Sequence, residues 1–577
     1  MKPTKSKLFP LLLLSVSISM MTMSYAETQV QAGNNIAVVQ TQAGAVQGYV
    51  QNSVVTYKGV PYATAERFMP PQKVANWQGE KLALTYGEVC PQVPMGGRSF
   101  FFTGPEMTEG ESCLNLNVWS PSVSDGKKRA VMVWIHGGGF QSGASNDLDS
   151  YDGANLARTG DVVVVSVNHR LNAMGFLDLS AYGEQYKGST NLGMQDLVAS
   201  LEWVKENIAQ FGGDPNNVTI FGESGGGAKV LTLMAMPSAK GLFHKAVVQS
   251  GAVEKMGMTL TDPKISRRVT ELTLKNLGVK STALYRLNEF TPAQINAAGS
   301  KALKQAGEEF KIPAILGGGY SLSWMPSLDG KLIPQQPVGE KYPEIAKDIP
   351  LLIGSNLTEW ESFPLQMDLQ NSQKSNRFTW TESETMDRLK AKYGNKTDEI
   401  VAAFPWTESE TMDRLKAKYG NKTDEIVAAF REAYPNRMIA DALYVDSFLR
   451  TPALKTARLK ADQQGAPVYN YIFSWDTPVF NSVPMSYHTA EIAFVFNNIE
   501  RMAQATGGGK DAQALADKMS RAWTNFAKTG NPNAEGLPQW DAYTRENGKV
   551  MIFDNQPEVK PHHDEKLQRL LAPNYNF

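Results

Sequence analysis

The chain has 577 residues, of which 42% are hydrophobic and 20% are charged, and its formal net charge is −1. This composition is typical of a packed globular protein and excludes a disordered chain; Lys and Arg form no basic stripe that would bind nucleic acid. The length permits one large α/β domain with insertions.

The amino terminus has the pattern of a cleaved signal peptide. Three lysines within the first seven residues precede the apolar run LFPLLLLSVSISMMTM, and Ser24 and Ala26 are small residues at the positions that a signal peptidase reads before it cuts after Ala26. The alternative is a membrane anchor, but the leucine-rich part is short, serines interrupt the rest and no stop-transfer charges follow. We predict a signal peptide over 1–26, a single domain over 27–577, and a periplasmic or secreted protein without stable membrane insertion.

Two alternating segments and two cysteines follow. AVVQTQAGAVQGYV (37–50) and VVTYKGVPYA (54–63) predict small antiparallel strands at a sheet edge. The only cysteines are Cys90 and Cys113. An oxidising compartment favours a disulfide between them, worth about 3 kcal/mol through loop closure, over two buried free thiols. No His lies near them in sequence to complete a zinc site, and we predict no metal and no organic cofactor.

Continuous apolar runs begin at residue 130. The runs are AVMVWI (130–135), VVVVSV (162–167), VTIFG (218–222), KAVVQS (245–250) and PLLIGS (350–355). They alternate with helical patterns such as DLVASLEWVKENIAQF (196–211), which is typical of strands buried on both faces by helices. We predict an α/β fold with a large, mostly parallel central sheet flanked by helices, helical cap insertions from about residue 255, and a site at the carboxyl ends of strands.

One segment occurs twice without a difference, at 380–404 and at 406–430. Solenoid repeats diverge and need at least three copies, so this pattern indicates a recent tandem duplication or an artefact of the sequence. Each copy predicts a helix that ends near its glycine, followed by a second helix capped by Thr397 or Thr423. We expect one copy to pack and the other to lie at the surface or to be poorly ordered.

The strongest motif is GESGG (222–226), between an apolar run and a helical pattern. A serine on a sharp strand-to-helix turn is held in a strained conformation, and glycines two residues away on either side remove clashing side chains. The motif alone is weak, because Gly and Ser are common. In this context it predicts Ser224 as a nucleophile.

The segment IHGGGF (135–140) also follows an apolar run. Consecutive glycines let the backbone approach a substrate and turn its N–H groups inward, as an oxyanion hole requires. The alternative is a flexible glycine loop. We predict the amides of Gly138, Gly139 and Gly225 as oxyanion donors.

A serine nucleophile needs a base, and the chain has six histidines. The order serine, acid, histidine removes the first three, and His562 and His563 lie in a polar tail. His488, in PMSYHTAEIAFVF, is therefore the candidate base, with a structural histidine as the alternative. The acid should follow a strand between the two, where Glu359 in LLIGSNLTEWESF is the candidate and Glu361 its competitor.

These segments resemble the type-B carboxylesterase and cholinesterase family, and in particular its bacterial carboxylesterases. FGESGGG is similar to the family's FGESAGG, ESCLNLNV (111–118) to EDCLYLNV, NHRLNAMGFL to NYRLGALGFL, GSNLTEWESF to GxNxxEG, and YHTAEIAFVF to HGxELxYVF. The resemblance covers most of the chain after residue 26. It implies an α/β-hydrolase fold, Glu359 as the acid, His488 as the base and a Cys90–Cys113 disulfide.

The chain departs from the family pattern at several positions. Gly225 replaces Ala, which keeps the amide donor and loosens the turn, while Trp360 and Thr489 replace glycines after the acid and the base. The segment between the two cysteines has no Trp, which disfavours a cholinesterase because that family binds a quaternary ammonium there by cation–π attraction. Trp360 is a possible substrate-pocket residue, as are three consecutive phenylalanines: Phe100, Phe101 and Phe102.

The sequence therefore predicts a serine carboxylic-ester hydrolase that acts on a small-molecule ester through an acyl-enzyme, with the triad Ser224, Glu359 and His488. A lipase, amidase, carbamate hydrolase or polyester hydrolase would use the same triad, and a neuroligin-like binding protein would have lost it. Neither the natural substrate nor the oligomeric state can be read from the sequence.

Overall fold

The computed structural model describes residues 30–93, 103–252, 254, 260–314, 319–360 and 408–577. The predicted signal peptide, the three consecutive phenylalanines, Glu361 and the first copy of the duplicated segment lie outside these residues.

The described residues form seventeen strands. They are β1 (Val30–Gln31), β2 (Val38–Gln40), β3 (Ala45–Gln47), β4 (Tyr49–Gln51), β5 (Val54–Pro61), β6 (Ala63–Thr64), β7 (Gln72–Lys73), β8 (Glu80–Leu82), β9 (Asn115–Ser120), β10 (Arg129–Ile135), β11 (Val163–Val167), β12 (Gly213–Glu223), β13 (Lys245–Gln249), β14 (Leu351–Asn356), β15 (Val468–Phe473), β16 (Lys549–Phe553) and β17 (Glu558–Pro561).

Twelve of these strands form one sheet in the order β1-β4-β5-β9-β11-β10-β12-β13-β14-β15-β16-β17. The strands from β11 to β16 along this order are mutually parallel, and antiparallel pairs stand at both ends. The predicted large, mostly parallel sheet is confirmed. All five apolar runs form its strands, although β12 begins at Gly213, earlier than its run indicates.

Helices cover both faces of the sheet. Those in the described residues are α1 (Ala154–Gly160), α2 (Asn172–Phe176), α3 (Leu192–Asn207), α4 (Gly225–Met234), α5 (Pro263–Leu277), α6 (Pro292–Phe310), α7 (Glu408–Tyr419), α8 (Thr423–Ala433), α9 (Arg450–Asp462), α10 (Ile492–Val495), α11 (Ala503–Thr506), α12 (Lys510–Thr529) and α13 (Glu565–Leu571).

Strand β10 shows why the sheet needs helices on both faces. Successive side chains of a strand point to opposite faces. Val131, Val133 and Ile135 pack in one buried cluster with residues of α3 and α4, whereas Met132 and Trp134 pack in another with residues of α1 and α12. Burying such side chains contributes about 1.5–3 kcal/mol each, which explains why an unbroken apolar run marks this strand.

The second copy of the duplicated segment forms α7 and α8. Leu415, Ile426 and Phe430 are buried in a cluster with residues of β15 and β16, so this copy contributes to the packed structure. The predicted break near Gly420 is present. The predicted Thr423 cap is wrong: Lys422 is the N-cap, and the Thr423 hydroxyl donates 2.7 Å to the carbonyl of Gly420.

Cys90 and Cys113 form a disulfide and both are buried. The described helices include none that combines the length and the apolar character needed to cross a bilayer.

Candidate active site

Three neighbouring strands bring the candidate site together. β12, β13 and β14 pair in parallel in this order. Ser224 follows β12 and Ser250 follows β13, and Glu359 lies shortly after β14. The carboxyl ends of parallel strands meet at one edge of a sheet, so these three residues lie at the same edge.

Ser224 occupies the turn between β12 and α4. Its φ is 55° and its ψ is −124°, a conformation that an L-residue adopts only when its surroundings enforce it. The Ser224 amide donates 2.9 Å to the carbonyl of Gln249, and the Ser224 carbonyl accepts from the amide of Ala228 at 3.0 Å. These bonds tie the turn to β13 on one side and to α4 on the other.

The flanking glycines are required by close packing. A Cβ on Gly222 would lie 2.6 Å from the carbonyl oxygen of Ile135, and a Cβ on Gly226 would lie 2.0 Å from the same atom. Any larger residue would push α4 away from β10. The two glycines therefore allow the strand-to-helix turn to sit against the sheet.

The imidazole of His488 lies beside the carboxyl group of Glu359. Nδ1 is 2.6 Å from Oε2, and the His488 amide donates 3.2 Å to the Glu359 carbonyl, so the backbone also holds the pair in register. No described residue makes a hydrogen bond to Nε2, which is 3.2 Å from Oε1 of Glu223. Nε2 therefore faces the residue immediately before Ser224.

The second carboxyl oxygen of Glu359 accepts two hydrogen bonds. Ser250 Oγ donates at 2.6 Å and the Asn356 amide at 2.7 Å. Burial raises the pKa of Glu359, whereas these two hydrogen bonds lower it in part. Burial also lowers the pKa of His488, so the imidazole is neutral near pH 7 and its Nε2 lone pair can accept a proton.

Two further buried carboxyl groups surround the pair. Glu491 Oε2 accepts from Asn356 Nδ2 at 2.7 Å, and Glu491 Oε1 accepts from Gln249 Nε2 at 3.1 Å. Burial raises the pKa of Glu491 to about 6, and burial together with the charges of Glu491 and Glu359 holds the pKa of Glu223 well above its usual range. Burial therefore disfavours the charged form of Glu223.

Sequence analysis missed Ser250, Asn356, Glu491 and the role of Gln249. Ser250 follows the strand beside the nucleophile strand and Asn356 ends the next strand along the sheet, a signal that was available once the parallel order was assumed. Glu491 follows His488 by three residues in a predicted apolar stretch and is fully buried, which is rare for a glutamate.

The glycine loop lies against the nucleophile turn. Gly138 and Gly139 have φ values of 77° and 62°, which favour glycine. A Cβ on Gly225 would lie 2.4 Å from the Gly139 nitrogen, so the two segments are in close contact. The amides of Gly138 and Gly139 donate to no acceptor among the described residues, and the Gly225 amide is at the first position of α4. These three donors are available to an oxyanion.

The other histidines lie elsewhere. His136 and His169 are buried and stack with 4.9 Å between ring centroids. His562 bonds to Glu565 near the surface, and burial lowers the pKa of His563 to about 4. His244 Nδ1 accepts from the Val218 amide at 3.1 Å, and none of these five histidines is beside Glu359.

The two bulky departures from the family pattern both flank the base. The ring of Trp360 is 4.1 Å from that of His488, centroid to centroid, so Trp360 forms part of the site wall. Thr489 has a φ of 78°, a strained value for a β-branched residue that a glycine would adopt freely. Within the described residues, no three His, Cys, Asp or Glu side chains are grouped to share a metal ion.

The chain is similar to known proteins of one family over most of its length. The model of the carboxylesterase family matches residues 35–570. The para-nitrobenzyl esterase of Bacillus subtilis (strain 168) is 34% identical over 547 residues, which cover 93% of this chain and 98% of that protein. Phenmedipham hydrolase of Pseudarthrobacter oxydans is 28% identical over 90% of this chain and 95% of that protein.

Solved structures of esterases are also similar to this chain. An esterase from anaerobic Clostridium hathewayi that can hydrolyse aliphatic aromatic polyesters is similar with a TM-score of 0.80 and 34% identity, covering 95% of this chain and 100% of that chain. A thermophilic para-nitrobenzyl esterase has a TM-score of 0.69 and 31% identity, covering 92% of this chain and 99% of that chain.

Proposed function

The chain belongs to the carboxylesterase family and is a carboxylic-ester hydrolase, and we propose that it works through an acyl-enzyme on Ser224, with His488 as base and Glu359 as its orienting acid. The observation that carries this proposal is the 2.6 Å contact between His488 Nδ1 and Glu359 Oε2, while Nε2 has no hydrogen bond from the described residues and lies 3.2 Å from a side-chain oxygen of Glu223, the residue before Ser224. A neutral imidazole oriented in this way is the base that a serine hydroxyl needs.

The reaction follows from these positions. His488 Nε2 takes the proton of the Ser224 hydroxyl as Oγ adds to the ester carbonyl carbon. The tetrahedral oxyanion accepts hydrogen bonds from the amides of Gly138, Gly139 and Gly225. Collapse breaks the bond to the alcohol oxygen, which takes the proton from the imidazolium. Water then attacks the acyl-enzyme by the same steps and releases the acid.

The electrostatics of the site support this cycle. The lowered pKa of His488 keeps the resting base neutral. When the imidazolium forms, its positive charge lies 2.6 Å from Glu359 Oε2 and favours the ionised form of that carboxyl group, whose other oxygen accepts from Ser250 and Asn356. Each oxyanion donor is worth about 3 to 4 kcal/mol in enzymes of this type, so the three together supply a large share of the barrier reduction.

A burst experiment tests the mechanism. Wild-type enzyme mixed with a p-nitrophenyl ester should release one equivalent of nitrophenol per site before the steady state. Ser224→Ala should give no burst, whereas Ser281→Ala, an exposed serine away from the site, should behave as wild type. A full burst from Ser224→Ala would refute the proposed nucleophile.

We propose a small-molecule ester as the substrate class. The similar proteins are named for different substrates, including a para-nitrobenzyl ester and aliphatic aromatic polyesters. A panel of esters that differ in acyl and alcohol size, with a polyester film as one member, would separate these specificities. Film hydrolysis at a rate comparable to that of soluble esters would argue against a small-molecule substrate.

We also propose that the chain is exported and that residues 1–26 are removed. The charged start, the apolar run and the small residues Ser24 and Ala26 support this. Mass spectrometry of the amino terminus of protein from culture medium, periplasm and cell pellet would test it. Detection of the protein only in the cell pellet, with residue 1 still present, would refute export.

A further inference from the structure

A lysine is buried behind the oxyanion loop. Lys229 belongs to α4, the helix that begins directly after Ser224, and its side chain is inaccessible to solvent. Its Nζ donates 3.0 Å to the carbonyl of His136 and 3.5 Å to that of Gly137, and lies 5.5 Å from the ring centroid of Phe140. The lysine thus lies against three residues of the segment 136–140, which contains the predicted oxyanion donors Gly138 and Gly139.

The ammonium group is not used in an ion pair within the described residues, where no carboxylate lies within bonding distance of it. Burial lowers the pKa of Lys229 to about 7, and burial raises the pKa of the nearby Asp147 to about 7. His136 and His169, the other titratable neighbours, have pKa values held well below their usual range by burial. Loop carbonyls are therefore the partners of a buried amine that would otherwise be costly to bury.

The position of these carbonyls determines where the oxyanion donors point. In a trans peptide the C=O and the N–H point in opposite directions, and the described residues contain no cis peptide. Gly137 O accepts from Lys229 Nζ and, at 3.0 Å, from His136 Nδ1. Both donors lie on the carbonyl side of the Gly137–Gly138 peptide, so the Gly138 N–H of the same peptide points away from them.

The next peptide of the loop is held without the lysine. Gly138 O accepts from the Ser142 amide at 3.1 Å, from Ser142 Oγ at 3.2 Å and from the Gln141 amide at 3.3 Å. The Gly139 N–H is thereby fixed by local contacts. In the part of the chain that the structure describes, the carbonyl of the Gly137–Gly138 peptide accepts from no backbone donor and depends on two side chains.

We propose that Lys229 is a positioning residue of the oxyanion hole, which keeps the Gly137–Gly138 peptide from rotating and so aims the Gly138 N–H at the developing oxyanion. This inference rests on the proposed function, because it assigns a support to that donor. Polarisation of the peptide by the lysine also makes its N–H a stronger donor, since hydrogen bonds in a chain reinforce one another.

The test replaces Lys229 with methionine, which has nearly the same length and is apolar. The matched control is Lys460→Met. Lys460 is also buried and donates to two consecutive carbonyls, those of Ala346 and Lys347, but these precede β14 at the opposite edge of the sheet from the site. Both variants, the wild type and Ser224→Ala are assayed on one p-nitrophenyl ester and with a trifluoromethyl ketone, which adds Ser224 Oγ to form a tetrahedral oxyanion.

Loss of one oxyanion donor lowers kcat by about 10²–10³-fold, and a donor that is present but free to rotate should cost about 10- to 100-fold. We expect this loss in kcat for Lys229→Met, a KM within about twofold of wild type, and a trifluoromethyl ketone inhibition constant raised by the same factor as kcat/KM falls. Lys460→Met should keep wild-type kcat and inhibition, whatever its melting temperature.

A wild-type kcat/KM for Lys229→Met, or an equal loss for Lys460→Met, would overturn the inference. If Lys229→Met does not fold, Lys229→Leu takes its place; its side chain is shorter and donates no hydrogen bond, so the same loss is expected and the same two results would overturn it. A burst from Ser224→Ala would overturn the proposed mechanism and this inference together, whereas an inactive Ser224→Ala beside a fully active Lys229→Met overturns this inference alone.

Discussion

The indole of Trp360 lies against the imidazole of His488, with 4.1 Å between ring centroids and 35° between ring planes. The sequence resemblance places a glycine where this tryptophan stands. A side chain at that position covers one face of the base. The indole of Trp360 therefore limits how the imidazole of His488 can rotate, whereas a glycine would leave that face open.

We expect Trp360→Gly to lower kcat by about threefold to tenfold, because aromatic contacts of this kind contribute about 0.5–1.5 kcal/mol and here they support the catalytic orientation of the ring. Trp360→Phe keeps an aromatic face and should retain most of the rate. Steady-state kinetics on one p-nitrophenyl ester measure both variants. An unchanged kcat for Trp360→Gly would mean that Glu359 alone orients the base.

The acid limb of the pH profile should lie well below the ordinary titration of histidine. Burial lowers the pKa of His488 to about 4 from its usual 6.5. The base must be neutral to accept the serine proton, so a lower pKa extends activity to lower pH. We expect kcat/KM to stay nearly constant from pH 8 to pH 6 and to fall only on further acidification. A half-maximal value at or above pH 6.5 would contradict this.

Ser250→Ala should reduce activity although Ser250 does not contact the substrate position. Its hydroxyl donates to the Glu359 oxygen that does not face His488, and a hydrogen bond to a charged group is worth about 1.5–3 kcal/mol. We expect kcat to fall about tenfold and the free energy of unfolding to fall by about 1 kcal/mol or more, measured by denaturant titration. The reference is Ser281→Ala, which should change neither quantity.

Removal of the disulfide should affect stability more than catalysis. Cys90 and Cys113 are 23 residues apart, and closing a loop of this size stabilises the folded chain by about 3 kcal/mol in the chain-entropy model. We expect the Cys90→Ser/Cys113→Ser double variant to lose about this amount of unfolding free energy while its kcat at 25 °C stays near that of the oxidised enzyme. A stability equal to that of the wild type would show that the bridge does not constrain the unfolded chain.

The parts of the site that sequence predicted are those carried by local patterns. Ser224 stands between an apolar run and a helical one, and glycines mark both the turn and the oxyanion loop. Ser250 was missed because it lies near Glu359 only through the pairing of β12, β13 and β14. Glu491 was missed because it lies near Glu359 only through the close approach of residues 487–491. Lys229 was missed because one lysine in an apolar helix gives no indication of which carbonyls it meets.

The substitution Gly225→Ala is the sharpest test of how the loop and the turn fit together. Alanine is the residue of the resembled family signature, and sequence alone indicates that glycine merely loosens the turn. In the structure a Cβ at this position would lie 2.3 Å from the Gly139 carbonyl oxygen and 2.4 Å from the Gly139 nitrogen and Cα, distances that real atoms do not adopt. The loop must therefore move if alanine is introduced.

We expect Gly225→Ala to lower kcat by about tenfold or more, because a shifted Gly139 amide weakens a donor whose full loss costs about 10²–10³-fold. Gly509→Ala is the control: a Cβ there meets no atom within 4 Å, so its kcat should match that of the wild type. If Gly225→Ala instead keeps or raises kcat, the loop tolerates displacement and the contact between Gly225 and Gly139 does not set the geometry of the oxyanion hole. A loss in kcat with an unchanged KM would show that this glycine is needed for the transition state, since ground-state binding does not use the oxyanion donors at full strength.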